Sequence, residues 1–311
     1  MKKKHIHDSG YKLLFSNPNI LKDLLENFVA LPFVKQIDFD KAEMLNTSFI
    51  DEKYAKKESD VIYKLESTTG EDIYIYVLIE FQSSVDKFMS FRMLRYLLEF
   101  YEYLLKQNGR KKKFPPVLPI ILYNGDKKWT APENIKDLID FDPTLTGVEQ
   151  YFPSFKYLKI AENEFPEKGL KNIKSILSTV FLVENAKDDK ALLKIFDKLD
   201  EYIADDNRKD LKILVNWINR FLSKFASQEI VDLADDKLPN LTEVKSMFAT
   251  TLERVIEEKQ TIAENRGEIR GKLEGRLEGV LETAKLMKDG GITLDQIKQF
   301  TGLNDNQINN L

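Results

Sequence analysis

Two carboxylates and an amide stand at the ends of two segments that alternate in polarity. Asp60 precedes residues 61–65, and Glu80 and Gln82 close residues 73–81. Every odd-numbered position in both segments is apolar, which is the period of β-strands with one buried face. Neighbouring carboxylates on rigid strands repel each other unless a cation lies between them. The pattern therefore predicts a β-hairpin that holds a divalent metal ion.

The register of this hairpin follows from a turn centred on Gly70. That centre sets Val61 opposite Ile79 and Asp60 opposite Glu80. A slip of one residue would destroy the shared apolar face, so the parity of the pairing is better determined than the register itself. Both carboxylates are then expected on the face that points away from the core.

The composition restricts the chemistry of such a site. The chain of 311 residues has no cysteine and two histidines, His5 and His7. Thiolate and histidine-based zinc sites are therefore nearly excluded, and the remaining oxygen ligands favour Mg²⁺ or Mn²⁺. The lack of cysteine fits a reducing cytoplasm. No apolar run is long enough to span a bilayer, so we expect a cytoplasmic protein with no membrane partner.

The elements around the hairpin predict an order of helix, strands, hairpin, helix and buried strand. Asp8 is a good N-cap for a helix that runs to Phe28 and is closed by Pro32. One or two strands are expected in residues 33–50. The continuous apolar run 117–123 predicts a strand buried on both faces.

Residues 86–107 predict an amphipathic helix after the hairpin. Its expected core-facing stripe comprises Phe88, Phe91, Leu94, Leu98, Tyr101 and Leu105. Its expected polar stripe comprises Arg92, Arg95, Glu99, Glu102 and Lys106.

The second half of the chain reads as helical. Helices are expected at 170–184, 189–204, 207–226 and 241–258. Glycines recur every four residues at Gly267, Gly271, Gly275 and Gly279, and each costs about 1 kcal/mol against alanine inside a helix. Either this is a helix whose glycine face lets a partner helix approach, or it is a flexible charged linker. The last residues predict a module of three short helices that serves oligomerisation rather than DNA reading.

Four segments in order carry a family resemblance: H-D-S-G-Y-K-L-L-F-S at 7–16, L-I-E-F-Q-S at 78–83, F-R-M-L-R-Y at 91–96 and L-P-I-I-L-Y-N-G at 118–125. They resemble the bacterial Rpn family of recombination-promoting nucleases, also labelled YhgA-like putative transposases, within the PD-(D/E)xK superfamily. The resemblance covers roughly residues 5–130.

The resemblance implies an α/β fold with a PD-(D/E)xK restriction-endonuclease-like core, a mixed central sheet flanked by helices. An all-helical region and a helical C-terminal tail follow that core. The expected domains are a nuclease-like domain at 1–165, a helical region at 166–258, a glycine-spaced helix or linker at 259–282 and a helical module at 283–311. The chain is expected to form a homo-oligomer through its C-terminal tail.

The implied site uses Asp60 and Glu80 as catalytic metal ligands, and the superfamily adds the backbone carbonyl of Phe81. Gln82 takes the place of the superfamily lysine, as is usual in the Rpn family. Glutamine can orient a water molecule, but it brings no charge and cannot act as a base. Three alternatives follow from this. The metal ion contributes more to the activation of the water, a second cation assists, or the enzyme is slow.

Contacts to DNA are expected from a set of basic residues: His7, Lys12, Arg92, Arg95, Lys111 and Lys112. Accessory site residues are Asp8, Tyr123 and Asn124. Several of them have a simpler alternative, in which the lysines concerned are Lys111 and Lys112. Asp8 serves as an N-cap, Arg95 pairs with Glu99 on a solvated helix face, Asn124 begins a turn, and the lysines lie in a solvated loop.

The sequence thus predicts a metal-dependent DNA endonuclease, with a role in DNA recombination, mobile-element biology or phage defence. The alternative is a catalytically weak or inactive nuclease fold that acts as a DNA-binding or oligomerising module. Cleavage of RNA stays open as well, since the metal chemistry does not distinguish the sugar.

Overall fold

A five-stranded mixed sheet forms the centre of the protein in a computed structural model. The structure describes residues 10–29, 31–45, 61–80, 85–107, 113–204, 207–225, 232–234 and 236–311, and for 78–80 it describes the backbone. The strands are β1 (Ile37–Leu45), β2 (Val61–Ser67), β3 (Asp72–Glu80), β4 (Val117–Tyr123) and β5 (Leu158–Ala161), in that order across the sheet. β1 to β3 pair antiparallel, whereas β3, β4 and β5 pair parallel.

The α-helices are α1 (Pro18–Leu24), α2 (Met89–Gln107), α3 (Glu167–Ile173), α4 (Ile176–Glu184), α5 (Asp189–Asp197), α6 (Leu199–Tyr202), α7 (Arg208–Ser223), α8 (Leu241–Asp289), α9 (Leu294–Thr301) and α10 (Asp305–Asn309). The mixed α/β class is confirmed, and β5 is a strand that the sequence did not predict. None of the helices in the described ranges is long and apolar enough to cross a membrane.

The predicted single helix from Asp8 to Phe28 is wrong. Residues 10–14 are helical, the chain then turns, and α1 begins at Pro18. Proline lacks an N–H group and disfavours helical geometry in the residue before it. Asn17 instead caps α1, its side-chain oxygen accepting a hydrogen bond of 2.9 Å from a backbone N–H two residues later.

The hairpin of β2 and β3 has the predicted parity but a different register. Val61 pairs with Val77 rather than with Ile79. The reason lies in the turn: Gly70 donates a hydrogen bond of 2.8 Å to the carbonyl of Ser67 and has a φ of 84°. It is the left-handed last residue of a short loop, not its centre. The placement of Asp60 opposite Glu80 therefore loses its basis, and Asp60 lies outside the described residues.

The even-numbered face of the hairpin is covered, not exposed as predicted. Ile62, Tyr74 and Tyr76 are buried and belong to a cluster with α2. Tyr76 stacks on Tyr96 at 6.4 Å between ring centroids, and Tyr74 meets Phe100 edge-on at 5.2 Å. The sheet is thus buried under a helix on this face.

α2 consequently buries a face that the sequence did not predict. The buried apolar residues are Met89, Met93, Tyr96, Phe100 and Leu104. The stripe assigned to the core instead contains strongly exposed residues: Phe88, Phe91, Leu98 and Leu105. Because α2 is apolar on both sides, its pattern alone did not determine which side meets the sheet.

The opposite face of the sheet packs against the N-terminal segment and the helical region. Tyr63 donates a hydrogen bond of 2.7 Å to the carbonyl of Phe15. Tyr11 meets Trp217 of α7 edge-on at 6.0 Å. Asp23 accepts a hydrogen bond of 2.9 Å from the backbone of Leu177 at the start of α4. The helical region therefore holds the N-terminal segment against the sheet.

Two compact units divide the chain, Met1–Glu253 and Arg254–Leu311. In the second unit the end of α8 packs with α9 and α10 around Ala284, Ile297, Leu303 and Ile308. A capping box joins Asn304 and Gln307 at the start of α10. The glycine-spaced segment is part of the continuous helix α8. Of the two alternatives for this segment, the structure shows the helix.

Candidate active site at the carboxyl edge of the parallel strands

The parallel strands end together and place polar residues along one edge of the sheet. Glu80, the last residue of β3, pairs with Tyr123, and Tyr123 pairs with Ala161. Asn124 and Glu162 directly follow the ends of β4 and β5. This carboxyl edge is where open α/β sheets commonly carry their sites.

A buried polar cluster connects the ends of β4 and β5 to the N-terminal segment. The Tyr11 hydroxyl donates a hydrogen bond of 2.5 Å to Glu162 Oε1. The Asn124 side-chain amide donates to Glu162 Oε2 at 3.0 Å and to the Tyr11 hydroxyl at 3.2 Å. Asn185 donates at 2.9 Å to the backbone carbonyl of Glu162. Asn124 therefore has a visible structural role at the predicted accessory position.

Burial determines the protonation of this cluster. Glu162 is almost completely buried, and this loss of solvation raises its pKa well above the usual value. The charge of Glu184 raises the pKa further, while the hydrogen bonds from Tyr11 and Asn124 oppose the shift. The pKa of Tyr11 is also raised, first by burial and then by the charge of Glu162. The proton on each group is thus held more firmly than in water.

Sequence reasoning did not single out Glu162 or Tyr11. The signal for Glu162 was available, because it follows the short strand L-K-I-A at β5 in the same way that Asn124 follows β4. Recognising that signal required β5, which only its pairing with β4 reveals.

Tyr123 contributes to the core rather than to an open edge. It is fully buried, and its ring lies 4.8 Å from that of Trp129. A Cβ added to Gly125 would stand 2.2 Å from the Tyr123 hydroxyl oxygen, so the tyrosine requires glycine there. The Asn163 side chain donates a hydrogen bond of 2.6 Å to the Gly125 carbonyl.

The two arginines predicted to contact DNA have partners within the chain. Arg92 makes an ion pair with Asp86 at 2.7 Å and is largely covered. Arg95 lies 3.5 Å from Glu99, the helical pair named as its alternative role, and its guanidinium lies 5.0 Å from the centre of the Tyr96 ring. Lys12 is half-buried, next to Tyr11 in the helical turn 10–14.

The remaining predicted site residues lie outside the described residues: Asp60, Phe81, Gln82, His7, Asp8, Lys111 and Lys112. Glu80 is described through its backbone at the end of β3. In the part of the chain that the structure describes, no three acidic or histidine side chains form a group that could hold a metal ion.

Fold and edge together define a mixed α/β protein with acidic residues at the carboxyl ends of its central strands. The chain belongs to the YhgA-like putative transposase family, whose model matches residues 5–213, and its curated relatives include Rpn recombination-promoting nucleases as well as proteins named inactive. The Rpn resemblance is thereby confirmed.

Three relatives show the range of this family. Recombination-promoting nuclease RpnA of Escherichia coli K12 is 25% identical over 305 residues, covering 97% of this chain and 95% of RpnA. RpnD of Escherichia coli O157:H7 is 24% identical over 71% of this chain and 87% of its own length. The inactive nuclease-like protein RpnE of strain K12 is 26% identical over 68% and 69%, respectively. No solved structure matches the chain.

Proposed function

We propose that the protein is a metal-dependent DNA endonuclease with a PD-(D/E)xK-like core. One observation carries the proposal: β3, which ends at Glu80, pairs with β2, which begins directly after Asp60. The order of helix, strands, hairpin, helix and strand agrees with such a core, and the match to RpnA spans nearly the whole chain.

The donor set fits a hard divalent cation. Asp60, Glu80 and the Phe81 carbonyl offer oxygen atoms alone, and the chain has no cysteine, which favours Mg²⁺ or Mn²⁺. When bound, such an ion lowers the pKa of a water molecule and stabilises the leaving oxygen of a phosphodiester. Asp60 and Glu80 would hold the ion.

Gln82 would orient the attacking water through its amide. It adds no positive charge, so neutralisation of the phosphate depends on the basic residues His7, Lys12, Arg92, Arg95, Lys111 and Lys112. Arg92 would have to exchange its bond to Asp86 for a phosphate oxygen. We therefore expect DNA binding that weakens with salt.

We further propose a cytoplasmic protein that acts in DNA recombination, mobile-element biology or phage defence, and that assembles into homo-oligomers through its C-terminal tail. The names of the nuclease relatives support the recombination role. The continuous helix α8, largely exposed from residue 259 to 279, supports the assembly role, since long isolated helices are usually stabilised by packing.

The second candidate function is a nuclease fold without cleavage. Its support is that the matched relative RpnE is named inactive and that the usual lysine is absent. In this case the protein would bind DNA or assemble partners without hydrolysing a phosphodiester bond.

Cleavage of supercoiled plasmid separates the two candidates. Purified protein is incubated with Mg²⁺, with Mn²⁺ and with a chelator, next to Asp60→Ala, Glu80→Ala and the control Glu71→Ala, an exposed carboxylate at the far end of the hairpin. Metal-dependent nicking that both site variants lose and the control keeps supports the nuclease. DNA binding without cleavage under either metal supports the inactive fold, and cleavage in all variants refutes the assigned site.

A further inference from the structure

The outer face of α2 carries an apolar seam that is largely exposed in the part of the chain that the structure describes. We use this name for Phe88, Phe91, Leu94, Leu98, Tyr101 and Leu105, which follow one another at intervals of three or four residues. Four of them, Phe88, Phe91, Leu98 and Leu105, are 63%, 55%, 53% and 52% exposed. The seam lies opposite the residues that α2 buries against the sheet, such as Met93 and Phe100.

The spacing is that of a coiled-coil stripe. Phe91, Leu98 and Leu105 are seven residues apart, and Leu94 and Tyr101 stand between them, as the a and d positions of a heptad do. Helices with this pattern bury it against a second helix, because exposed leucine and phenylalanine side chains are removed from water. The spacing of the stripe therefore fits a helix as its binding partner.

The size of the patch is that of an interface core. Tyr101 stacks on Phe114 at 4.4 Å, and Phe114 is itself 50% exposed, so the patch extends beyond the helix. Five half-exposed side chains of this size leave about 500 Å² of apolar surface uncovered, which is the upper range for a monomer. A stable pair buries about 800 Å² on each partner, with a polar rim around the core.

We propose that the seam binds the seam of a second copy of this chain, with the two α2 helices antiparallel. The argument for a second copy is the charge on one flank of the seam. Arg95 and Glu102 lie on the same flank, seven residues apart. In an antiparallel pair with its twofold axis near Leu98, Arg95 of each copy would exchange its own Glu99 for Glu102 of the other copy. This contact competes with the proposed contact of Arg95 to DNA. In a parallel pair the same two positions would face Ser90 and Leu97 of the other copy, so neither charge would meet an opposite charge.

The absence of cysteine in the chain permits a direct test with the full-length protein. Leu98→Cys places one thiol on each side of the twofold axis, about 8–10 Å apart across a helix pair. A short bismaleimide is expected to join the two copies at low micromolar protein. Phe91→Cys places its two thiols more than about 20 Å apart in the antiparallel arrangement and is expected to give no dimer.

Leu98→Glu provides the second measurement, with Leu145→Glu as its matched control. Leu145 is 57% exposed and lies in the connection between β4 and β5. The mass in solution should fall by a factor of two in Leu98→Glu and stay at the wild-type value in Leu145→Glu, with the circular dichroism of both unchanged. Because Leu98 is half-exposed, its substitution is not expected to unfold the protein.

Three results would overturn the proposal. Absence of a crosslink at Leu98→Cys would remove the second copy as the partner. Equal crosslinking at Phe91→Cys would establish a parallel pair. An unchanged mass in Leu98→Glu would show that the C-terminal tail, and not the seam, holds copies together. None of these results depends on cleavage of DNA, so the proposal stands or falls separately from the nuclease.

Discussion

Glu162 is the residue whose chemistry the structure defines most fully. It lies at the carboxyl edge of the parallel strands, is buried, and is held by Tyr11 and Asn124. Its cluster joins the N-terminal segment, in which the predicted residues His7 and Asp8 precede Tyr11 by a few positions, to β4 and β5. A change of charge at Glu162 is therefore expected to disturb the contacts that hold the N-terminal segment against β4 and β5, next to the candidate site.

Glu162→Gln should flatten the dependence of stability on pH. The folded-state pKa of Glu162 is raised. Protonated Glu162 therefore contributes its full stabilisation to the folded state below the pKa of the unfolded chain, about 4.3. This stabilisation is lost as the pH rises through the folded-state pKa. The loss is at most about 1.4 kcal/mol per pH unit for one proton. Glutamine cannot ionise, so the variant should gain stability relative to wild type as the pH rises above the unfolded pKa.

Urea unfolding at four pH values checks this expectation. Glu149→Gln, an exposed glutamate, is the control and should run parallel to wild type. The lost or rearranged hydrogen bond in Glu162→Gln changes the free energy of unfolding by about 1 kcal/mol at every pH. The comparison therefore concerns the slope of the free energy of unfolding against pH. Parallel curves for Glu162→Gln and wild type would show that Glu162 does not titrate as the buried cluster requires.

The elements differ in how much the sequence determines them. β4 was predicted with its bounds, because a continuous apolar run between proline and Asn-Gly has few other structures. The hairpin parity followed from strict alternation, but its register depended on the loop geometry at Gly70. β5 has four residues, too few for a periodic signal, and its strand structure depends on pairing with a distant β4.

The face that α2 buries was not available from its own sequence. Both of its sides are apolar, and the tyrosines of β3 determine which side is buried: Tyr76 stacks on Tyr96, and Tyr74 meets Phe100 edge-on. For the candidate site, the carboxyl edge around Glu80 and Asn124 was predictable from strand ends. The partners Tyr11 and Glu162 were not, since they come from segments 151 residues apart.

The glycines of α8 allow a prediction in which two effects have opposite signs. Gly271→Ala with Gly275→Ala should raise the intrinsic stability of the helix by about 1 kcal/mol per site, because an added Cβ meets nothing within 4 Å. If the glycine face receives a partner helix, the same methyl groups hold the partner away. We expect the variant to assemble more weakly than wild type, by sedimentation over a range of concentrations.

Arg276→Ala is the matched control for this pair, since Arg276 is exposed and lies off the glycine face. It should assemble as wild type does. A glycine variant with higher thermal stability and unchanged assembly would contradict the expectation. The partner would then belong on the other side of α8, where Leu273 is 63% exposed.

At the scale of the whole molecule, the helical region has a clear mechanical role in the first unit. Asp210 of α7 accepts hydrogen bonds from Asn17 and Asn19, and Trp217 of the same helix packs on Tyr11. α4 and α7 thereby fix the N-terminal segment on the sheet. The polar edge at Asn124 and Glu162 is joined to this packing through Tyr11, so the central sheet and the helical region form one packed unit.

The central claim is that Glu80 binds a divalent ion that the protein needs to cleave DNA. Its most direct test is the rate of plasmid nicking as a function of Mn²⁺ concentration for wild type, Glu80→Gln and the control Glu71→Gln. Glutamine keeps the size of the side chain and removes its charge. Loss of a direct ligand should lower the metal affinity by more than the roughly 10–100-fold that loss of an outer-shell residue causes. We predict a slower rate and a higher Mn²⁺ requirement for Glu80→Gln alone, whereas three superimposable curves would contradict the account.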